Sequence, residues 1–273
     1  MAFNGTSGND IMDYSAHPYG PPADWPEVQI WLTINGLGGN DTIYGSPFKD
    51  DIYGGDGSDT LYGNAGNDSL DGGAGIDNLF GGEGNDWLRG GEGNDNLDGG
   101  NGDDWFFGDN GNDTIYGRAG DDTVVGGAGN DVIWGGAGND VIFGEAGADI
   151  MRGEAGNDRL WGGAGNDTYY FSGQGQDIIN DGLTSSGSVR SDTAYDTADR
   201  LVVSYTSNEI EFYTSLENQN LLITSAIDAA DGLIENYIVI ENFFAGGHYA
   251  IESLQTANGV YNFSDIFPTA FAA

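Results

Sequence analysis

The residues best placed to do chemistry are aspartates that recur every nine positions. Residues 36–170 divide without a gap into 15 units of nine residues. The sixth position of every unit is aspartate, the first is always glycine, and the eighth is always apolar. Irregular units with an equivalent aspartate lie before and after this array. The column consists of Asp10, Asp41, Asp50, Asp59, Asp68, Asp77, Asp86, Asp95, Asp104, Asp113, Asp122, Asp131, Asp140, Asp149, Asp158, Asp167 and Asp177.

Carboxylates at this spacing are suited to binding a hard cation. If two units form one coil, aspartates two units apart lie about 5 Å from each other, the spacing of neighbouring strands. Seven Lys and Arg face 44 Asp and Glu, so few side chains offset the repulsion between these carboxylates. Calcium fits, because it accepts several oxygen ligands in flexible geometry, whereas magnesium demands an octahedral shell. Zinc and copper lack their preferred Cys and His ligands. The sequence therefore predicts multiple bound Ca²⁺ ions.

Backbone carbonyls of the turns, from positions two and four, are expected to complete the coordination. Position four is glycine in 14 of the 15 units, and we expect glycines at positions one and four to adopt positive φ. Phe48 and Lys49 depart from the pattern in the turn that ends at Asp50. The position-four glycines predicted to bind through their carbonyls are Gly57, Gly66, Gly75, Gly84, Gly93, Gly102, Gly111, Gly120, Gly129, Gly138, Gly147, Gly156 and Gly165.

The elements that must position these ligands are short strands. Positions seven to nine are expected to run extended, with position eight facing inward and its neighbours facing outward. Successive coils then stack as parallel strands, with alternate units in opposite sheets. The predicted fold is all-β, a right-handed parallel β-roll (a β-solenoid) with a β-rich C-terminal cap. One apolar side chain per nine residues makes a small core, so we expect folding to require calcium.

Three segments are expected along the chain. Residues 1–35 would form an N-terminal cap with the first irregular unit and a Pro-rich insertion. Within that insertion, residues 28–35 alternate as a strand. A less favoured alternative is a ligand-binding loop that uses His17, Trp25 or Trp31. Residues 36–180 would form the roll, and residues 181–273 the C-terminal cap.

Composition excludes several function classes. A formal net charge of −37 disfavours nucleic acid and anionic lipid as partners. The chain has no cysteine, and no run of 18 apolar residues that would predict a transmembrane helix. His17 and His248 lie far apart, and no HExxH or nucleophile-elbow motif occurs, so catalysis is not expected.

Position nine is aromatic in ten of the 15 units. These rings should project outward and are interpreted first as a ladder that stiffens each sheet through neighbouring pairs. The alternative is a platform for polysaccharide or for another surface protein, since exposed apolar patches mark interaction sites. The candidate platform residues are Tyr44, Tyr62, Phe80, Tyr116, Trp134 and Tyr170.

The glycine, aspartate and apolar columns resemble the GGxGxDxUx signature of RTX (repeats-in-toxin, haemolysin-type calcium-binding) proteins. The resemblance covers residues 5–13 and 36–180, and segments 199–203, 220–224 and 238–244 are similar to the β-rich region that follows such arrays. It implies export by type I secretion, with an uncleaved signal within residues 181–273 and folding in extracellular calcium. The first residues lack the pattern of a secretory signal peptide, which agrees with that route.

The predicted function is that of a secreted, non-enzymatic calcium-binding protein with a structural or adhesive role at the cell surface or in matrix. One alternative is an extracellular carbohydrate-binding protein that uses the aromatic ladder. A second is a membrane-active RTX protein, which is disfavoured because Lys49 is the sole lysine.

Overall fold

A computed structural model describes residues 2–16, 31–171 and 175–179 in full. It also describes the backbone of strands within residues 200–203, 210–214, 221–225, 237–240, 253–256 and 259–262. The chain forms two compact units, Met1–Val132 and Ile133–Ala273. The described residues are strands and turns without any helix. We find no membrane-spanning helix among them.

The first unit is built from short parallel strands. They form two sheets, in the orders β1-β3-β5-β7-β9-β11-β13 and β2-β4-β6-β8-β10-β12. The strands are β1 (Ala2–Asn4), β2 (Ile11–Asp13), β3 (Leu32–Gly38), β4 (Thr42–Tyr44), β5 (Asp50–Asp56), β6 (Thr60–Ala65), β7 (Ser69–Ala74), β8 (Asn78–Glu83), β9 (Trp87–Glu92), β10 (Asn96–Asn101), β11 (Trp105–Asn110), β12 (Thr114–Ala119) and β13 (Thr123–Ala128).

Register follows the repeat. Leu61 pairs with Leu79, and Leu79 pairs with Leu97, each 18 residues further on. Because 18 residues are two units, alternate units lie in opposite sheets, which confirms the sequence prediction. The position-eight side chains are buried along the array, from Ile43 to Tyr169, and together form the core. Positions seven and nine are half-buried or exposed, as the alternation of a strand requires.

Two details of the turn differ from the prediction. From β6 to β17 the strands are six residues long, because positions one to three continue the ladder after positions seven to nine. Positive φ occurs at positions two and four, as at Gly73 (102°) and Gly75 (146°), whereas Gly72 at position one lies outside that region. Position two tolerates other residues in this conformation, including Arg118 (80°) and Glu145 (77°). The expectation of positive φ at position one was therefore wrong.

The second unit continues the same strand pattern and adds the C-terminal strands. Its strands are β14 (Val132–Ala137), which crosses the boundary between the units, β15 (Val141–Ala146), β16 (Ile150–Ala155), β17 (Arg159–Ala164), β18 (Thr168–Phe171), β19 (Gln176–Ile179), β20 (Arg200–Val203), β21 (Ile210–Thr214), β22 (Leu221–Ser225), β23 (Tyr237–Ile240), β24 (Ser253–Thr256) and β25 (Gly259–Asn262).

The C-terminal strands pair with the last strands of both sheets. β20 runs parallel to β18, and β23 runs parallel to β19 with Asp177 opposite Ile238. β22 and β21 extend one sheet with antiparallel pairing, and β25 pairs antiparallel with β24 on the other. The predicted all-β fold, a β-solenoid of parallel strands, is confirmed, and the C-terminal segment contributes further strands.

The N-terminal strand is partly confirmed. Leu32 and Ile34 are buried on one face of β3, as their alternation predicted. The rest of the predicted strand before Trp31 lies outside the described residues, as do His17 and Trp25.

Candidate metal centre

The column aspartates connect one coil to the next through their side chains. One carboxylate oxygen, Oδ1, accepts the backbone N–H of the aspartate 18 residues earlier. The N–H of Asp59 donates to Asp77 at 2.7 Å, and that of Asp86 donates to Asp104 at 2.7 Å. In the second unit, the N–H of Asp158 donates to Asp177 at 3.0 Å. At Asp77 and Asp104, one oxygen of the carboxylate thus accepts a backbone N–H, and the other oxygen is left for a different partner.

That second oxygen, Oδ2, is buried and has no hydrogen-bond partner among the described residues at eight positions of the first unit. These are Asp41, Asp59, Asp68, Asp77, Asp86, Asp95, Asp104 and Asp113. A buried polar atom left unsatisfied is costly and points to an ion or water that completes the site. Because such an atom recurs once in each regular nine-residue repeat, we expect one partner per repeat.

The position-one glycine keeps the space beside this oxygen open. A Cβ on Gly63 would lie 2.6 Å from Asp68 Oδ2 and 2.6 Å from the carbonyl oxygen of Gly81. Any larger residue would therefore collide with a carboxylate oxygen and with a backbone carbonyl of the next coil. This contact explains the invariant glycine at position one, which has no need of positive φ.

Burial makes the charged form of these carboxylates unfavourable without a cation. Desolvation raises the pKa of Asp68 to about 9, from an ordinary value of 3.8. It raises the pKa values of Asp77, Asp104 and Asp113 to about 7, and the donated N–H only partly opposes it. Neighbouring aspartates raise these pKa values further. A bound divalent cation would offset both the burial and the repulsion.

Oxygen atoms are the metal ligands that the described part of the chain offers. It contains no cluster of three or more His, Cys, Asp or Glu side chains. An ion beside the column would therefore be held by one or two carboxylates together with backbone carbonyls. The position-four carbonyls predicted as ligands lie against the next coil, where a Cβ on Gly75 would collide with the oxygen of Gly57. An oxygen-only ligand set fits calcium.

The same glycine, aspartate and apolar columns match a known protein family. A family model for the RTX calcium-binding nonapeptide repeat matches residues 33–47, 44–79, 80–115, 116–151 and 143–179, which together exceed half of the chain. The chain belongs to this RTX family. No curated protein matches it. Its array is thus a calcium-binding β-roll.

In two turns of the RTX protein, the hydroxyl of the position-two residue donates to the column aspartate. We call these the hydroxyl-completed turns. At residues 5–10, the N–H of Thr6 donates to Asp10 Oδ2 at 2.6 Å, and its hydroxyl donates to the same oxygen at 2.9 Å. At residues 45–50, the N–H of Ser46 donates to Asp50 Oδ2 at 2.5 Å, and its hydroxyl donates to Oδ1 at 3.1 Å. Each hydroxyl also bonds the N–H of position four, at Gly8 and Phe48. Neither Thr6 nor Ser46 has the positive φ seen at position two elsewhere.

The aromatic ladder predicted at position nine is present. Tyr44 and Tyr62 stack with ring centroids 4.7 Å apart, and Tyr62 stacks on Phe80 at 4.9 Å. Tyr116 lies against the guanidinium of Arg118 at 4.7 Å, whereas Trp134 and Tyr170 flank that of Arg152 at 6.0 and 4.2 Å. These ring faces are engaged within the protein, which supports the stiffening interpretation over the platform.

A second aromatic feature, at position seven, was not predicted from the sequence. Position seven is mostly Thr, Asn, Ser or β-branched, yet it is tryptophan at Trp87 and Trp105. The two residues are in-register partners on β9 and β11, with 36% and 52% of their surface exposed. Their spacing of two units was the signal that could have placed them together on one sheet.

Proposed function

We propose that this RTX protein is secreted, folds on calcium outside the cell, and serves a non-enzymatic structural or adhesive role at the cell surface or in matrix. The observation that carries the proposal is the column of buried Oδ2 atoms. Without a cation, the eight buried Oδ2 atoms of the first unit would have to be protonated, or remain desolvated at a cost in free energy. In extracellular calcium they would become ligands, so that metal binding and folding are one event.

The calcium ligands we propose are the aspartates of the regular turns, together with the carbonyls of the position-four glycines. Asp10 and Asp50 are assigned differently. Thr6 and Ser46 already donate to their carboxylates, and each hydroxyl also accepts the N–H of position four. We therefore infer that these two turns need no ion, although sequence alone placed both aspartates in the metal column.

A non-enzymatic role is supported by how the carboxylates are used. The aspartates with strongly raised pKa values belong to one structural column, each bonded to backbone of a neighbouring coil. A general acid or base needs to reach a substrate, but these residues are buried. Their environment therefore suits permanent ion binding better than proton transfer.

Export through a type I channel is tested by truncation. Deletion of residues 182–273 is expected to leave the protein inside a secreting host, and deletion of 267–273 alone is expected to impair export strongly. The fraction of protein in the medium, measured by immunoblot against a secreted control, gives the answer. Normal export of the 1–181 fragment would contradict the proposed location of the signal.

A further inference from the structure

We propose that the outer face of strands β7, β9, β11 and β13 binds a neutral, linear polysaccharide. The site combines the exposed indoles of Trp87 and Trp105 with a polar groove beside them. We call it the tryptophan groove. It lies on the opposite sheet from the position-nine residues Tyr44, Tyr62 and Phe80. The proposal supplies a ligand class for the proposed adhesive role and rests on it.

The two tryptophans are not required by the fold. Position eight fills the core, and Leu88 and Phe106, beside them on the same strands, are fully buried. Position seven is otherwise occupied by residues such as Thr60 and Thr123, which suit a solvent-facing strand. Two large indoles placed on neighbouring strands expose apolar surface at a cost, and such patches mark binding sites. Trp87 also packs against Phe107, with ring centroids 5.5 Å apart.

The groove beside them carries fixed hydrogen-bonding groups. Its volume is about 270 Å³. Arg89 is held between Asp109, at 2.5 Å, and Asp71, at 3.5 Å. Across the groove, Asn110 Nδ2 donates to Glu92 Oε1 at 2.9 Å. Three position-two glycines, Gly73, Gly91 and Gly127, also line the groove and place no side chain in it. A concave surface with a few oriented polar groups suits a small polar ligand.

This combination fits sugar rings better than a protein partner. The apolar face of a pyranose ring can pack on an indole. The hydroxyls of the ring both donate and accept hydrogen bonds. They can therefore bond the carboxylates of Asp71 and Asp109, the guanidinium of Arg89 and the Asn110–Glu92 pair. Parallel strands repeat about every 4.8 Å, so a linear chain crossing the strands would meet Trp87 and Trp105 on successive strands. A protein partner would need about 800 Å² of contact with an apolar centre.

Charge selects a neutral glycan. The groove contains three carboxylates, of Asp71, Glu92 and Asp109, against the single guanidinium of Arg89. The whole chain carries a formal −37. Uronic-acid and sulfated polymers would be repelled. We therefore expect binding to neutral glucans or mannans and none to alginate.

The test is affinity gel electrophoresis in millimolar calcium with laminarin, dextran and galactomannan, and with alginate as the anionic probe. A double variant, Trp87→Thr with Trp105→Thr, introduces the residue that the array most often carries at position seven. We expect its affinity for the retarding polysaccharide to fall roughly tenfold or more, the effect of losing two stacking rings. The matched control, Tyr44→Thr with Tyr62→Thr on the other sheet, is expected to bind like the unchanged protein.

Three results would overturn the proposal. These are no retardation of the folded protein by any neutral probe, stronger retardation by alginate, or binding lost in the Tyr44/Tyr62 variant and kept in the tryptophan variant. Circular dichroism of each variant in calcium shows whether the roll has folded. A normal calcium-induced spectrum with no glycan binding would refute the tryptophan groove and leave calcium-dependent folding intact.

Discussion

At the scale of single residues, the aspartate of a regular turn in the first unit has two separate tasks. At Asp104, Oδ1 accepts a backbone N–H from the neighbouring coil, and Oδ2 lies beside the position-one glycine without a donor. Asparagine or glutamate could meet only part of this requirement. Asparagine lacks the charge for calcium, and the longer glutamate would displace one of the two oxygens. The requirement for aspartate thus comes from backbone pairing as well as from metal binding.

Asp104 is expected to matter far more than Asp10. Asp104→Ala removes a proposed calcium ligand shared by neighbouring coils and leaves the buried N–H of Asp86 without its acceptor. We expect the free energy of unfolding in calcium to fall by about 1–3 kcal/mol. Asp10→Ala affects a half-exposed, hydroxyl-completed turn and should cost less. Urea unfolding at fixed calcium measures both.

The control for lost charge is Asp56→Asn, at an exposed position three of the array. It is expected to leave stability almost unchanged. Equal destabilisation by the Asp104 and Asp10 variants would count against a column of stacked ions.

The raised pKa values predict how the calcium-free protein responds to pH. Burial raises the pKa of Asp68 to about 9 and that of Asp104 to about 7, whereas the unfolded value is 3.8. The folded state therefore binds more protons, so its calcium-free stability increases as pH falls from about 9 towards 4 and is lost as pH rises through these values. In EDTA, circular dichroism should show more β-structure near pH 5.5 than at pH 8. A spectrum independent of pH would contradict this assignment.

The hydroxyl-completed turn gives a further test. Ser46→Gly restores the usual glycine at position two but removes the hydroxyl bonds to Asp50 and Phe48. We expect a loss of about 1–2 kcal/mol in stability at low calcium, partly recovered at high calcium if an ion enters the turn. Ser46→Thr keeps the hydroxyl, as in Thr6, and should behave like the unchanged protein. A stability loss in Ser46→Thr equal to that in Ser46→Gly would show that the hydroxyl is not the stabilising group.

The recurrence of the aspartates is visible in the sequence, and their role as calcium ligands stays a prediction. The burial of the position-eight residues follows directly from spacing, because that position has one physical requirement. The role of the position-one glycine does not, because the contact it avoids comes from Oδ2 in its own unit and from a carbonyl 18 residues away. The hydroxyl-completed turns were also missed, since only the folded backbone brings Ser46 to Asp50.

At the scale of elements, the strand ladder depends on its ends being paired. Within the second unit, β18 and β19 would present open edges if β20 and β23 were absent. An open strand edge can pair with another chain. Segments 199–203 and 238–244 were predictable as β-rich from their resemblance to the region that follows RTX arrays. Their partners were not, because any strand of suitable pattern can pair with an open edge.

Removal of these strands is expected to cause self-association. The 1–181 fragment, refolded in calcium, should elute partly as oligomers and need more calcium to fold. Light scattering coupled to size-exclusion chromatography measures the mass. Deletion of 267–273 is the control and should leave the protein monomeric. A 1–181 fragment that stays monomeric with an unchanged calcium midpoint would exclude a capping role for the C-terminal strands.

At the scale of the whole molecule, composition and core size both point to dependence on calcium. A formal charge of −37 opposes any compact state. The apolar core of the array is one side chain per nine residues, which is little against the conformational entropy of so many turns. Bound calcium would reduce the net negative charge of the chain and link each turn to the turn of the next coil. On the proposed export route, low cytosolic calcium would keep the chain unfolded until it leaves the cell.

Circular dichroism during a calcium titration at pH 8, starting from EDTA, tests this account most directly. We predict a largely unfolded spectrum in EDTA and a cooperative transition to β-structure at about 10⁻⁴–10⁻³ M calcium, the range of extracellular calcium modules. Magnesium at equal concentration should not substitute. A native-like β spectrum that persists in EDTA at pH 8 would contradict the coupling of calcium binding to folding.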